Sequence, residues 1–179
     1  ARYLSGIAAG LKTKSNKIGY VAAMDVTNSE VTGGINAFAM GVESVNPNAK
    51  VYVKVTNSWF SPDLEKQAAE ALLDGGCDVI AQHCDTTAPQ LAAQARGVWG
   101  VGYNSDMTKD APKAHLTAPI WNWEVYYTKA AKAVMDGTWD GSNYYGGMDE
   151  GLVDISPLSE NCAEGTKEAI DAAKAKIIS

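Results

Sequence analysis

Between Lys17 and Ser105, short runs rich in β-branched and aromatic residues alternate with longer runs whose apolar positions recur at helical spacing. The β-rich runs are 18–24, 51–56, 78–82 and 98–103, a repeat of about 30 residues, which is the length of one strand-plus-helix unit. Between them, Ile35, Phe38, Ala39, Val42 and Val45 fall on one face of a first helix, and Leu64, Ala68, Ala71 and Leu72 on one face of a second. Ser61, Pro62 and Asp63 read as an N-cap hydroxyl, a proline at the first helical position and an acidic first turn, while Gly75 and Gly76 end that helix. Pro89 and Gly97 bracket a third helix over 90–96. Strands joined by helical crossovers predict an α/β fold: a doubly wound parallel sheet with helices on both faces.

The flanking segments follow the same logic. Residues 2–11 are patterned as a helix, with Tyr3, Leu4, Ile7, Ala8 and Leu11 on one side and no capping residue ahead of it. Residues 114–120 read as extended. Residues 123–136 read as a helix burying Tyr127, Ala130, Ala131 and Val134, with Gly137 behind it. A loop rich in Gly, Asp and Tyr leads to a short strand over 151–155 and a terminal helix over 162–178.

Composition narrows the function classes. At 179 residues, 46% hydrophobic and 20% charged, the chain suits one globular domain or most of a two-lobed one. A net charge of −6 with scattered lysines argues against nucleic acid as a partner. No apolar run approaches the ~20 residues that cross a bilayer, and no signal-peptide pattern is present. The start Ala-Arg-Tyr-Leu, without Met, suggests a processed or truncated beginning. Three cysteines, Cys77, Cys84 and Cys162, leave at least one unpaired and read as buried thiols.

In open parallel sheets, ligands bind beyond the carboxyl ends of the strands. Polar residues collect there: Asp25, then Asn57, Ser58, Trp59 and Phe60, then His83, Cys84, Asp85, Thr86 and Thr87, then Asn104, Ser105 and Asp106. Any one of them could be a turn former or a cap. Trp59, Phe60, Trp121 and Trp123 could cover a flat ligand, or serve packing alone. Catalytic patterns are thin. The only histidines are His83 and His115, and no Gly-x-Ser-x-Gly elbow exists. The phosphate-loop mimic over 6–13 carries Leu11 where its second glycine must stand, and Gly100 and Gly102 lack a third glycine because Ser105 occupies its place. No cysteine or histidine pair has metal-ligand spacing. We therefore expect no catalytic residues, no metal and no cofactor.

Five segments resemble one family: 17–23 (Lys-Ile-Gly-Tyr-Val-Ala-Ala), 34–38 (Gly-Ile-Asn-Ala-Phe), 56–60 (Thr-Asn-Ser-Trp-Phe), 78–83 (Asp-Val-Ile-Ala-Gln-His) and 111–117 (Ala-Pro-Lys-Ala-His-Leu-Thr). The chain is similar over essentially its whole length to the basic membrane proteins, substrate-binding lipoproteins of ABC importers related to purine nucleoside receptors. That resemblance implies a type I periplasmic-binding-protein fold whose two lobes close on a purine, an extracytoplasmic and lipid-anchored location, and a membrane permease as partner. It also implies that a first lobe precedes this chain. Residues 1–16 are then a crossover helix of that first lobe, 17–113 the second-lobe sandwich, and 114–179 a crossover strand and helices shared between lobes. The expected ligand-binding residues are Asp106, Asn57, Trp59, Asp85, Trp121 and Trp123, with Asp106 foremost. One departure bears on the ligand: where the nucleoside receptors carry a lysine serving the sugar, Ile120, Trp121, Asn122 and Trp123 stand here, which favours a bare base such as adenine. A sensory or regulatory domain of the same fold is the alternative.

Overall fold

The computed structural model describes all residues 1–179. Its centre is a five-stranded parallel sheet in the order β2-β1-β3-β4-β5, formed by β1 (Lys17–Ala22), β2 (Lys50–Val55), β3 (Val79–His83), β4 (Trp99–Val101) and β5 (His115–Thr117). Ile18 aligns with Val51 on one side and with Val79 on the other, so β1 sits mid-sheet and is buried from Ile18 onward. The helices α1 (Arg2–Lys12), α2 (Ser29–Val45), α3 (Pro62–Asp74) and α4 (Ala88–Ala95) cover both faces. On one face Ala9, Val31, Phe38 and Val42 pack on Ile18, Tyr20 and Val79. On the other, Ala69, Leu72, Ala92 and Ala93 pack on Val21 and Ile80. The doubly wound architecture is thus present, with one apolar layer beneath each helical layer.

Helix α1 runs along α2 at backbone contact. A Cβ built on Gly6 would lie 2.1 Å from the Phe38 carbonyl oxygen, and one on Gly41 would lie 2.0 Å from that of Tyr3. The glycines that mimic a phosphate loop therefore stand in continuous helix, where they permit this approach. The segment assigned to a first lobe, 1–16, here contributes Leu4, Ile7 and Ala8 to a small cluster closed by Ile170 of the last helix, α6 (Thr166–Ile178).

The chain leaves the main sheet after β5 and forms a two-stranded antiparallel sheet from β6 (Pro119–Trp121) and β7 (Val153–Ile155). The two passages are tied together at one point. Ser156 N donates to the Ala118 carbonyl at 2.7 Å, its Oγ accepts from Ala118 N at 2.9 Å, and Thr117 Oγ1 donates to the Ser156 carbonyl at 2.8 Å.

Four expectations need correction. The extended segment 114–120 divides into β5 and β6, which belong to different sheets. The terminal helix begins at Thr166 because Gly165 sits at φ 79° and Asn161 is held in a turn, its amide donating to the Pro112 and His115 carbonyls. The Ser61 hydroxyl makes no cap; instead the Glu65 carboxylate reaches back to Ser61 N at 3.0 Å. Helix α5 (Trp123–Met135) forms where expected but buries nothing, and Tyr127, Val134 and Met135 are 61%, 62% and 86% exposed. Its apolar periodicity is real, yet no described element packs against that face. Edge strand β2 is likewise open, with Tyr52, Val53 and Val55 all exposed.

Candidate functional site

The parallel strands end together on one edge, and the loops beyond them carry the polar residues that the sequence singles out. Two of these turns share an aspartate–threonine clasp. Asp25 Oδ1 accepts from Thr27 N at 2.9 Å and from its hydroxyl at 2.6 Å. Asp106 Oδ1 accepts from Thr108 N at 2.9 Å and from its hydroxyl at 2.5 Å. The turn-forming role therefore applies to one oxygen of each, and Asp106 keeps its second oxygen free. Partial burial raises the Asp106 carboxyl, but the Thr108 bonds, aided by His115 and Lys109, hold it below the usual carboxylate range.

Asn57 and Asn104 close β2 and β4 in the left-handed region, at φ 53° and 56°. Asparagine is the non-glycine residue best suited to such a turn. Each turn redirects the chain so that the following residues fold back over the sheet edge. After Asn57, Trp59 lies half-buried against the core, edge-on to His83 with ring centroids 5.9 Å apart. The Trp59 carbonyl accepts from Asp85 N at 2.8 Å, which joins the loops after β2 and β3. Below them the fully buried Glu65 accepts from Ser61 N, from Thr86 N at 3.2 Å and from the Thr86 hydroxyl at 2.6 Å. Burial, and then the nearby Glu65 charge, push the exposed Asp85 carboxyl upward.

The middle of the edge is occupied by His83, a strand-end residue outside the six expected ligand residues. His83 is fully buried, with Nε2 3.1 Å from Arg2 Nη2 and Nδ1 3.3 Å from the Tyr20 hydroxyl. Arginine can only donate, so Nε2 carries the lone pair and Nδ1 the proton, which it gives to Tyr20. Glu30 Oε1 is 3.5 Å from the same Nε2, a distance that would suit an ion pair only with a protonated ring. Burial and the Arg2 charge lower the His83 pKa to about 3, so the contact is proximity and not a salt bridge. The Arg2 guanidinium also lies 4.9 Å over the Tyr103 ring. A Cβ on Gly34 would strike the His83 ring at 2.6 Å and Arg2 Cδ at 2.8 Å. The paired glycines inside α2 were the one sequence sign that something large sits there.

Of the six expected ligand residues, the structure brings Trp59 and Asp85 together, with Asn57 opening the same loop. Asp106 lies in the next loop along the edge, the one after β4, facing His115. Trp121 and Trp123 stack on each other, 5.2 Å between centroids at 17°, and line a separate apolar cavity of about 420 Å³ with Tyr144, Met148 and Leu152.

A hydrolytic relay does not assemble. His115 Nε2 faces both Ser156 Oγ at 3.4 Å and Asp106 Oδ1 at 3.6 Å, while Nδ1 has no partner. A triad needs the carboxylate on the ring nitrogen opposite the serine. What the edge offers is hydrogen-bonding groups around aromatic surface, which is recognition chemistry. No helix is long and apolar enough to cross a membrane.

Known proteins place the chain in a family. The chain is 43% identical over 98% of its length to a purine-binding protein of Brucella abortus, and 40% identical over 99% to a putative ABC transporter glucose-binding protein of Haloferax volcanii. It covers 49% and 45% of those two proteins, so it spans about half the length of the curated relatives it matches. It is also 37% identical over 74% of its length to metabotropic glutamate receptor-like protein K of Dictyostelium discoideum, covering 19% of it. Among solved structures it superimposes on an ABC transporter solute-binding protein from Conexibacter woesei, with TM-score 0.77, 19% identity, and 98% and 59% of the two chains covered. A transcriptional activator of the comK gene from Bacillus halodurans gives TM-score 0.87 at 20% identity, over 99% and 61%. At such identities these two establish the type I periplasmic-binding fold alone. The family described as ABC transporter substrate-binding protein, PnrA-like, matches residues 1–179, and with the relatives above it shows that the chain belongs to that family of substrate-binding proteins, which are not enzymes.

Proposed function

We propose that this chain is one jaw of the solute-binding component of an ABC importer, and that the solute is a purine base or nucleoside. Substrate-binding proteins of ABC importers work outside the cytoplasm, and we place the parent protein there, anchored by lipid, with a membrane permease as partner. The observation that carries the reading is the Trp59–Asp85 pair on the open sheet edge. The backbone bond between them joins a loop bearing an aromatic ring and the Asn57 amide to a loop bearing the Asp85 carboxylate, a set of groups suited to stacking on a heterocycle and bonding its ring nitrogens. Asp106 adds an acceptor from the neighbouring loop. Trp121 and Trp123, stacked and turned to their own cavity, would reach the solute only through the other side of the cleft. The Brucella relative's purine binding supports the ligand class, whereas the name of the Haloferax relative points to a sugar.

Mass spectrometry of small molecules released from the full-length protein after native purification tests this. A purine at near-stoichiometric amount is the expected result. A hexose in its place would end the purine reading while leaving the importer role intact. The second reading, a sensory domain, draws on the receptor-like Dictyostelium relative. Ligand uptake lost on deletion of the gene supports the importer, and unchanged uptake with altered transcription supports the sensor.

A further inference from the structure

Residues 120–123 carry no basic side chain, which by itself favours a bare base. The structure supplies a cation from another direction. Arg2 starts α1, and α1 runs antiparallel to β1, so its first turn lies at the carboxyl edge of the sheet, among His83, Tyr103 and Glu30.

Three features set this arginine apart from a solvated surface charge. It is half-buried and makes no ion pair: no carboxylate oxygen lies within 4.0 Å, and Glu30, which shares the His83 nitrogen, is exposed. Its 3.1 Å hydrogen bond goes to a neutral acceptor, His83 Nε2, so no direct ion pair compensates the charge. It is held rigidly, by His83 at one edge, by the Tyr103 face 4.9 Å away, and by the space that the missing Gly34 side chain leaves for its Cδ. Guanidinium carries five N–H donors, and His83 and Tyr20 together take at most two of them. Partial burial of an unpaired cation is costly unless an acceptor meets it. Fixing that cation beforehand lowers the ordering cost when the acceptor arrives.

We propose that Arg2 is a ligand-contacting residue whose free N–H groups donate to an oxygen acceptor on the bound solute. The assignment rests on the purine-binding reading and sharpens it. Two parts of a purine ligand offer such oxygen: the 6-oxo group, which with N7 matches the guanidinium fork in bidentate fashion, and the ribose hydroxyls. Adenine offers neither, since its N6 amino group is a donor facing donors. The ligand is therefore a 6-oxopurine or a purine nucleoside in preference to adenine, reversing the expectation from the absent lysine. His83 acts as a positioning residue, because its neutral tautomer aims the fork.

The test is calorimetric titration of the full-length protein and its Arg2→Met and Arg2→Lys variants with adenine, hypoxanthine, adenosine and inosine. Hypoxanthine against adenine reports the 6-oxo group, and adenosine against adenine reports the ribose. We expect the native protein to prefer at least one oxygen-bearing ligand over adenine. Arg2→Met should lower that affinity about 10- to 100-fold, the range for a hydrogen bond to a charged group, and change adenine binding less than about twofold. Arg2→Lys keeps the charge without the fork and should fall between; it carries the comparison if thermal unfolding finds Arg2→Met unfolded. Equal loss for all four ligands would overturn the proposal, as that marks a contact between lobes. Unchanged affinities, or a native preference for adenine, would overturn it and leave purine binding standing. No binding of any of the four would remove the purine reading and this proposal together.

Discussion

Glu65 Oε2 takes the Thr86 hydroxyl at 2.6 Å while its other oxygen takes Ser61 N, so one buried carboxylate fastens the loop that carries Trp59 to the loop that carries Asp85. No cation shares this pocket; hydrogen bonds alone hold the group.

Replacing Glu65 by Ala strands buried donors at Ser61 and Thr86. The expected loss is about 1–3 kcal/mol in urea-induced unfolding, with weaker ligand binding beyond what stability explains. Glu65→Gln retains a carbonyl acceptor and should lose less on both measures. Equal losses in the two variants would show that a single carbonyl acceptor cannot stand in for the carboxylate.

His83 links stability to pH. Its folded pKa of about 3 lies below its ordinary value of 6.5, so the unfolded chain binds the extra proton across that window. Stability should be fully present above pH 6.5 and decline as pH falls from there toward 3, at up to about 1.4 kcal/mol per unit. Thermal unfolding of the native chain and of His83→Gln, followed from pH 7 to pH 4, should give a visibly shallower decline in the variant.

Two glycines of α2 should respond in opposite directions. Gly41→Ala places its Cβ 2.0 Å from the Tyr3 carbonyl oxygen, so α1 and α2 must separate, at a cost of about 1–3 kcal/mol or more. Gly33→Ala meets nothing within 4 Å and should stabilise the helix by up to about 1 kcal/mol. Chemical denaturation of the two variants decides it.

Helix α5, with no buried residue, should open far more readily than α2. Its amides are expected to exchange with solvent orders of magnitude faster than those of Phe38 or Val42. Equal protection would mean that α5 is covered in solution.

The parallel sheet and its helices were legible because buried strands and amphipathic helices leave a periodic trace, as Phe38 and Val42 show. The loop residues Asn57, Trp59 and Asp85 were legible as strand-end positions, since topology fixes where such residues go. His83 was legible in the same way, but its pairing with Arg2 was not, because their meeting depends on α1 lying close against α2, and that closeness is set by glycines whose role appears only when two helices are placed together. The exposed face of α5 misled for a related reason. Periodicity says that a face is apolar, and it does not say what lies opposite.

The open edge of β2 has a consequence for handling the protein. Its outer backbone groups are unpaired, and Tyr52, Val53 and Val55 make it attractive to another extended chain. Lys50 and Lys54, both on that strand, are the charges that keep strangers from docking there. Acylating reagents aimed at surface amines, including many dye and biotin labels, would disarm these two sentries. A labelled sample should then form fibrous or amorphous precipitate at concentrations where the unmodified chain stays clear.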